Sequence, residues 1–194
     1  MMKISALALA AVTLMPGLAL AHTGAEGHSH GFMAGFLHPV GGMDHVLAMV
    51  LVGLLAWQIG QRALWLVPAA FVAVMAAGGA LGMAGIALPA LEVGIALSVV
   101  VLGAMVAFGV RAPVAVAMGL AGLFAMFHGQ AHGAEMPASA SALGYAAGFM
   151  LSTALLHAAG VAAGFGMGRI SAPAVRMAGA AASVAGVVLL VGAV

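Results

Sequence analysis

Cysteine is absent from this chain of 194 residues. That excludes disulfides, thiolate metal sites and thiol nucleophiles, so a metal here must use imidazole, carboxylate, thioether or backbone ligands. Charge is almost as scarce. Asp, Glu, Lys and Arg together make up 5% of the residues, where a soluble domain carries about 25%. No nucleotide-binding loop, obvious internal repeat or segment of soluble-domain composition occurs, and nothing points to nucleic acid. What is present is apolar: 65% hydrophobic residues, 29 Gly, 15 Met and a mean hydropathy of +1.26. The composition predicts an all-α integral membrane protein, with small residues that let helices approach closely, as in AGAAASVAGVVLLVGA near the C-terminus.

The opening MMKISALALAAVTLMPGLALA has one Lys, a short apolar core broken by Pro16 and an Ala19-Leu20-Ala21 ending. It reads as a cleaved signal peptide over residues 1–21, the alternative being an uncleaved first helix. Residues 22–36, rich in His and Gly, read as an extracytoplasmic tail, and residues 37–194 as the membrane domain. In that domain six spans are expected, near 37–60, 63–84, 90–110, 113–133, 141–166 and 173–193, each about the 20 residues a crossing needs. The second and third are divided at GMAGIALPA, where Gly and Pro punctuate.

Charge placement predicts the orientation. With the cleaved N-terminus outside, Arg62, Arg111 and Arg169 fall in inner loops and Arg176 just past the third, in keeping with the positive-inside rule. Glu26, Asp44, Glu92 and Glu135 fall toward the outer side, with every histidine except His157. The expected location is a bacterial inner membrane, both mature termini periplasmic, with an outer mouth that favours cations.

Two stretches carry chemistry. In HPVGGMDHVLAM, His38 and His45 share a face of a continuous helix, while Asp44 points about 100° from His45. Pro39 and the Gly41-Gly42 pair would let a bent start bring all three to one point. Imidazole with carboxylate suits Ni(II), Co(II), Cu(II) and Zn(II). Met43 and Met49 are either packing residues or added thioether contacts. A plainer reading is a His–Asp pair that caps the helix, although ionisable groups in membrane are functional by default.

In FHGQAHGAE, His128 and His132 stand at i and i+4 with Glu135 three residues on, so all three project from one face. Gly129 after His128 excludes the H-E-x-x-H protease motif. Glu92 opens the third span, as an anionic ligand, a proton acceptor or a solvated end residue. His157 lies deeper in the fifth span, as an inner relay for ion or proton or as a structural histidine bonded near Thr153. His22, His28 and His30 form a tail group suited to metal capture, since short His-rich tracts tend to bind metal.

The chain resembles the HupE/UreJ family of hydrogenase and urease accessory membrane proteins. The resemblance rests on H-P-x-x-G-x-D-H at His38, Pro39, Gly42, Asp44 and His45, and on F-H-G-x-A-H-G-x-E from Phe127 to Glu135. EVGIALSVVVLG (92–103) and LLHAAG (155–160) also match family segments. It implies a nickel or cobalt transporter, with copper associated with some relatives. The permeases of another nickel–cobalt family use H-x4-D-H, and five residues rather than four separate His38 from Asp44 here.

These readings converge on a secondary permease that imports a divalent metal and is not an enzyme. Its metal ligands are His38, Asp44, His45, Glu92, His128, His132 and Glu135, and it has no catalytic cofactor. Membrane lipid and cytoplasmic metallochaperones are the expected partners. Two alternatives remain at this level: an intramembrane His/carboxylate metalloenzyme, with Glu135 or Glu92 as base, and an accessory scaffold that passes metal, copper included, to a partner.

Overall fold

The structure is a computed structural model and describes residues 30–193. The expected signal peptide, Glu26, His22 and His28 lie outside the described residues, as does the side chain of His30. Those residues form seven helices and no strand: α1 (His30–Gly41), α2 (Met43–Ile59), α3 (Ala63–Met83), α4 (Leu91–Ala107), α5 (Val114–Ala134), α6 (Ala142–Ile170) and α7 (Ala172–Gly192).

The first expected span is broken. Pro39 removes a backbone donor near the end of α1, and the glycines that follow are poor helix formers, by about 1 kcal/mol each against Ala. The chain turns by 82° between α1 and α2. Gly31 of α1 abuts Ser141, which caps α6, Gly35 abuts Tyr145 of α6, and Gly53 of α2 abuts His157 and Gly160 further along the same helix. Both halves therefore pack on α6, α1 near its start and α2 further along it. His30 is already helical, so the described part of the expected tail belongs to α1. Continuous helix over 37–60 is thus not what forms.

Four helices, α3, α5, α6 and α7, are long and apolar enough to cross a membrane, or five with the bent α1–α2 pair as one span. The protein is accordingly a multi-pass membrane protein. A sixth crossing would have to be α4, whose 17 residues span about 26 Å where hydrocarbon is about 30 Å thick. The expected division between the second and third spans falls where it was placed, in the loop from residue 84 to residue 90.

Glycine sets how tightly the bundle closes. Gly129 and Gly133 of α5 lie against the backbone of Met75 and Gly79 on α3, and Gly103 of α4 against Gly179 and Ser183 of α7. At these contacts backbone meets backbone, which only small residues allow. The core holds Met49, Leu55, Phe71, Met75, Leu102, Tyr145 and Phe149, all essentially inaccessible. One end of the bundle carries Asp44, Glu92 and Glu135, and the other carries Arg62, Arg111 and Arg169. At the arginine end the Gln58 amide donates to the carbonyls of Met105 (3.1 Å) and Val110 (2.9 Å), tying α2 to the turn after α4.

Candidate metal centre at the acidic end

Four histidines from three helices meet beneath the acidic end. His38 comes from the last turn of α1, His45 from the first turn of α2, and His128 and His132 from successive turns of α5. Ring centroids lie 4.7 Å apart for His45 and His128, 4.8 Å for His45 and His132, and 4.9 Å for His38 and His132. The break at Gly42 makes this possible, because it turns the His38 ring and the His45 ring toward the same α5 surface.

Asp44 lies against His45, as in the plainer His–Asp pair considered above. Its carboxylate folds back on its neighbour, with Oδ1 accepting from the His45 backbone N–H (2.7 Å) and lying 2.9 Å from His45 Nδ1. A carboxylate in the first turn of α2 also complements the helix dipole. The contact places the proton of His45 on Nδ1 and leaves Nε2, which is buried and has no partner. Asp44 therefore orients His45.

His128 is oriented by a residue that the sequence reading passed over. Ser98 Oγ lies 2.6 Å from the Ile95 carbonyl and 2.9 Å from His128 Nε2. Two oxygens at 2.6 Å need a hydrogen between them, so the hydroxyl proton goes to Ile95. Nε2 must then donate to Ser98, which leaves the lone pair of His128 on Nδ1, buried and unpartnered. A hydroxyl inside the apolar run EVGIALSVVVLG was the available signal, since polar groups within spans are rarely idle.

Both nitrogens of His132 are buried without a partner, and its ring stacks on Phe149 at 5.1 Å. Each such orphan costs roughly 1–3 kcal/mol, and His45, His128 and His132 each bring at least one unpartnered nitrogen to the same place. Among the described residues, no group of three or more His, Cys, Asp or Glu side chains is placed so that it could hold a metal ion.

Glu135 was expected on the His128–His132 face. It is instead the residue that caps α5, and its carboxylate turns outward to His38, Oε2 to Nε2 at 3.2 Å. Above the imidazoles is a cavity of about 480 Å³, bordered by His38, Asp44, His45, Glu92 and Glu135. Glu92 thus stands at the rim, apart from the buried rings. Met43 is exposed and Met49 is fully buried, one turn below His45.

His157 lies further toward the arginine end, as expected, with both ring nitrogens buried and free. The hydrogen bond to Thr153 considered from the sequence does not form; the Thr153 hydroxyl points to sulfur instead. Phe71 packs against His157 (5.0 Å between centroids) and against His128 (5.8 Å), so one aromatic ring touches both.

An all-helical, multi-pass bundle with a group of orphaned imidazoles below an acidic cavity defines a membrane protein with an internal ionisable site. The chain belongs to the HupE/UreJ family: the family model described as HupE / UreJ protein matches residues 9–189. It is also 49% identical over 185 residues to Protein HupE of Rhizobium leguminosarum bv. viciae, which covers 95% of each chain. No solved structure matches it. The family consists of nickel/cobalt accessory or transporter-type membrane proteins.

Proposed function

We propose that the chain is a secondary importer of a divalent transition-metal ion, Ni(II) or Co(II), across a bacterial inner membrane. The observation that carries this reading is the set of unpartnered imidazole nitrogens on His45, which lines a cavity walled by carboxylates, and on His128 and His132, whose rings lie against His45. Neutral imidazole is a good ligand for Ni(II), Co(II), Cu(II) and Zn(II), and no cationic Lys or Arg borders the cavity to repel the ion.

Glu92, Glu135 and Asp44 would draw the hydrated cation into the cavity, where negative walls focus the field. Nδ1 of His128, Nε2 of His45 and a nitrogen of His132 would then replace part of its water shell. His38, held by Glu135, completes the donor set from the rim. Small rotations of the rings would close the group on the ion, because the rings already touch. Release follows toward the arginine end, past His157. In this reading that end faces the cytoplasm, α4 crosses as the sixth span, and His22, His28 and His30 raise the local metal concentration outside. With no ATP-binding motif in the sequence, the membrane potential, a proton gradient or capture by cytoplasmic metallochaperones drives net uptake.

The test is uptake of Ni(II) and Co(II) into proteoliposomes, with Cu(II) and Zn(II) as competitors. His45→Ala and His132→Ala should abolish accumulation while the protein still inserts. Normal accumulation in either variant would remove the site from the pathway. Binding without accumulation in the wild type would favour the accessory-scaffold reading.

A further inference from the structure

Directly below the imidazoles is a second group of donor atoms. Thr153 Oγ1 on α6 lies 3.3 Å from Met49 Sδ on α2 and 3.5 Å from Met75 Sδ on α3. All three residues are completely inaccessible to solvent. Helix register fixes their level: Met49 is one turn beyond His45, and Thr153 lies one turn beyond Phe149, which stacks on His132. His157 follows one further turn along α6. The layer therefore occupies the step between the imidazole group and the deep histidine.

We propose that Met49, Met75 and Thr153 form a second, weaker ion position, through which the metal passes from the imidazoles toward His157. The proposal rests on the importer reading and deepens it.

Three observations support it. A threonine within a helix ordinarily returns its hydroxyl to a carbonyl of its own preceding turn, whereas Thr153 reaches to two other helices. Its single proton can serve only one sulfur at a time, so one thioether always keeps its lone pairs free. Moreover, the next donor down, His157, has two nitrogens without partners.

The chemistry suits passage better than storage. Thioether sulfur is neutral, soft and untitratable; it prefers soft ions such as Cu(I), and so would hold the harder Ni(II) or Co(II) more weakly than imidazole does. An ion path needs sites favourable enough to enter and weak enough to leave. A strong imidazole site followed by a weak thioether site and then a single imidazole gives such a sequence. The contrasting role for two buried methionines is to fill space, which leucine does almost as well.

That contrast sets the experiment. Met49→Leu/Met75→Leu keeps volume and hydrophobicity, so a space-filling layer would leave transport unchanged. The variant and wild type are reconstituted in proteoliposomes, and the initial rate of Ni(II) uptake is measured against external Ni(II). The expected result is a maximal rate about tenfold lower, the effect of a modest change in barrier height, at an unchanged half-saturating concentration. An unchanged maximal rate overturns the thioether position, and so does a rise in half-saturating concentration alone. Thr153→Val and Thr153→Ser provide an independent pair: the first should slow uptake and the second, which keeps the hydroxyl, should not. Equal rates in that pair also count against the proposal, including where the methionine variant fails to insert. Wild-type vesicles that accumulate no ion overturn the importer reading itself, and this position with it. Accumulation by wild type beside an unaffected methionine variant overturns the thioether position alone.

Discussion

Ser98 and His128 are joined by a contact of 2.9 Å whose direction is set elsewhere, by the 2.6 Å bond from Ser98 to the Ile95 carbonyl. Because the serine proton is already committed, the imidazole must donate, and its free lone pair is on Nδ1. On α2 the carboxylate of Asp44 does the opposite for His45, holding Nδ1 and freeing Nε2. Two neighbouring rings are thereby locked as different tautomers, each with one nitrogen unpartnered. Orienting partners of this kind are worth about 10- to 100-fold in metal affinity where they have been removed from metal sites.

Ser98→Ala should therefore raise the half-saturating Ni(II) concentration about tenfold. Ser98→Thr, which retains the hydroxyl, should recover most of the loss. The tautomer is directly readable by ¹⁵N NMR of histidine-labelled protein. His128 should carry its proton on Nε2 in the wild type and show a mixture in Ser98→Ala. A wild-type His128 protonated on Nδ1 would contradict the arrangement.

The two glycines at the helix break should respond in opposite ways. A Cβ on Gly42 would lie 2.6 Å from Asp44 Oδ1 and 3.1 Å from His45 Nδ1, whereas one on Gly41 meets nothing within 4 Å. Gly42 has an ordinary φ of −105°, so alanine there is strained by contact rather than by backbone geometry. Gly42→Ala should displace the carboxylate and weaken uptake severalfold; Gly41→Ala should leave it close to wild type. Side-by-side transport curves decide the matter.

Gly129 lies between the two α5 histidines in sequence but faces α3, where a Cβ would meet the Met75 carbonyl. Gly129→Ala should push α3 and α5 apart and cost about 1–3 kcal/mol or more, as overpacking does. A lower melting temperature in detergent, with uptake falling in parallel, is the expected result. An unshifted melting temperature would show that the interface yields more readily than backbone contact suggests.

Protons compete for the same lone pairs as the metal. The charged groups facing the rings are Asp44 against His45 and Glu135 against His38. Protonation removes ligands as pH falls, so uptake should decline on the acid side at a fixed membrane potential and recover on the neutral side. Uptake that rises as pH falls at a fixed membrane potential would contradict competition between proton and metal for these nitrogens.

The local chemistry was visible in the residues themselves. A chain with 5% charge and 65% hydrophobic residues satisfies its backbone in lipid as helices or as a closed barrel, apolar runs of about 20 residues favour helices, and the pairing of His128 with His132 follows from one turn of such a helix. The glycines and Pro39 marked where the first span would yield, and LLHAAG marked a deep histidine. How those pieces meet was not legible, because contacts such as Ser98–His128 and Thr153 with Met49 and Met75 join helices remote in sequence, with no spacing rule between them. The same holds for the turn of Glu135 toward His38 and for the 82° bend that turns two stretches of one motif onto α5. Periodicity within a helix assigns a side chain to a face. Only packing decides which faces look at one another, and there backbone-to-backbone contact at glycine sets the distances at which the imidazoles gather.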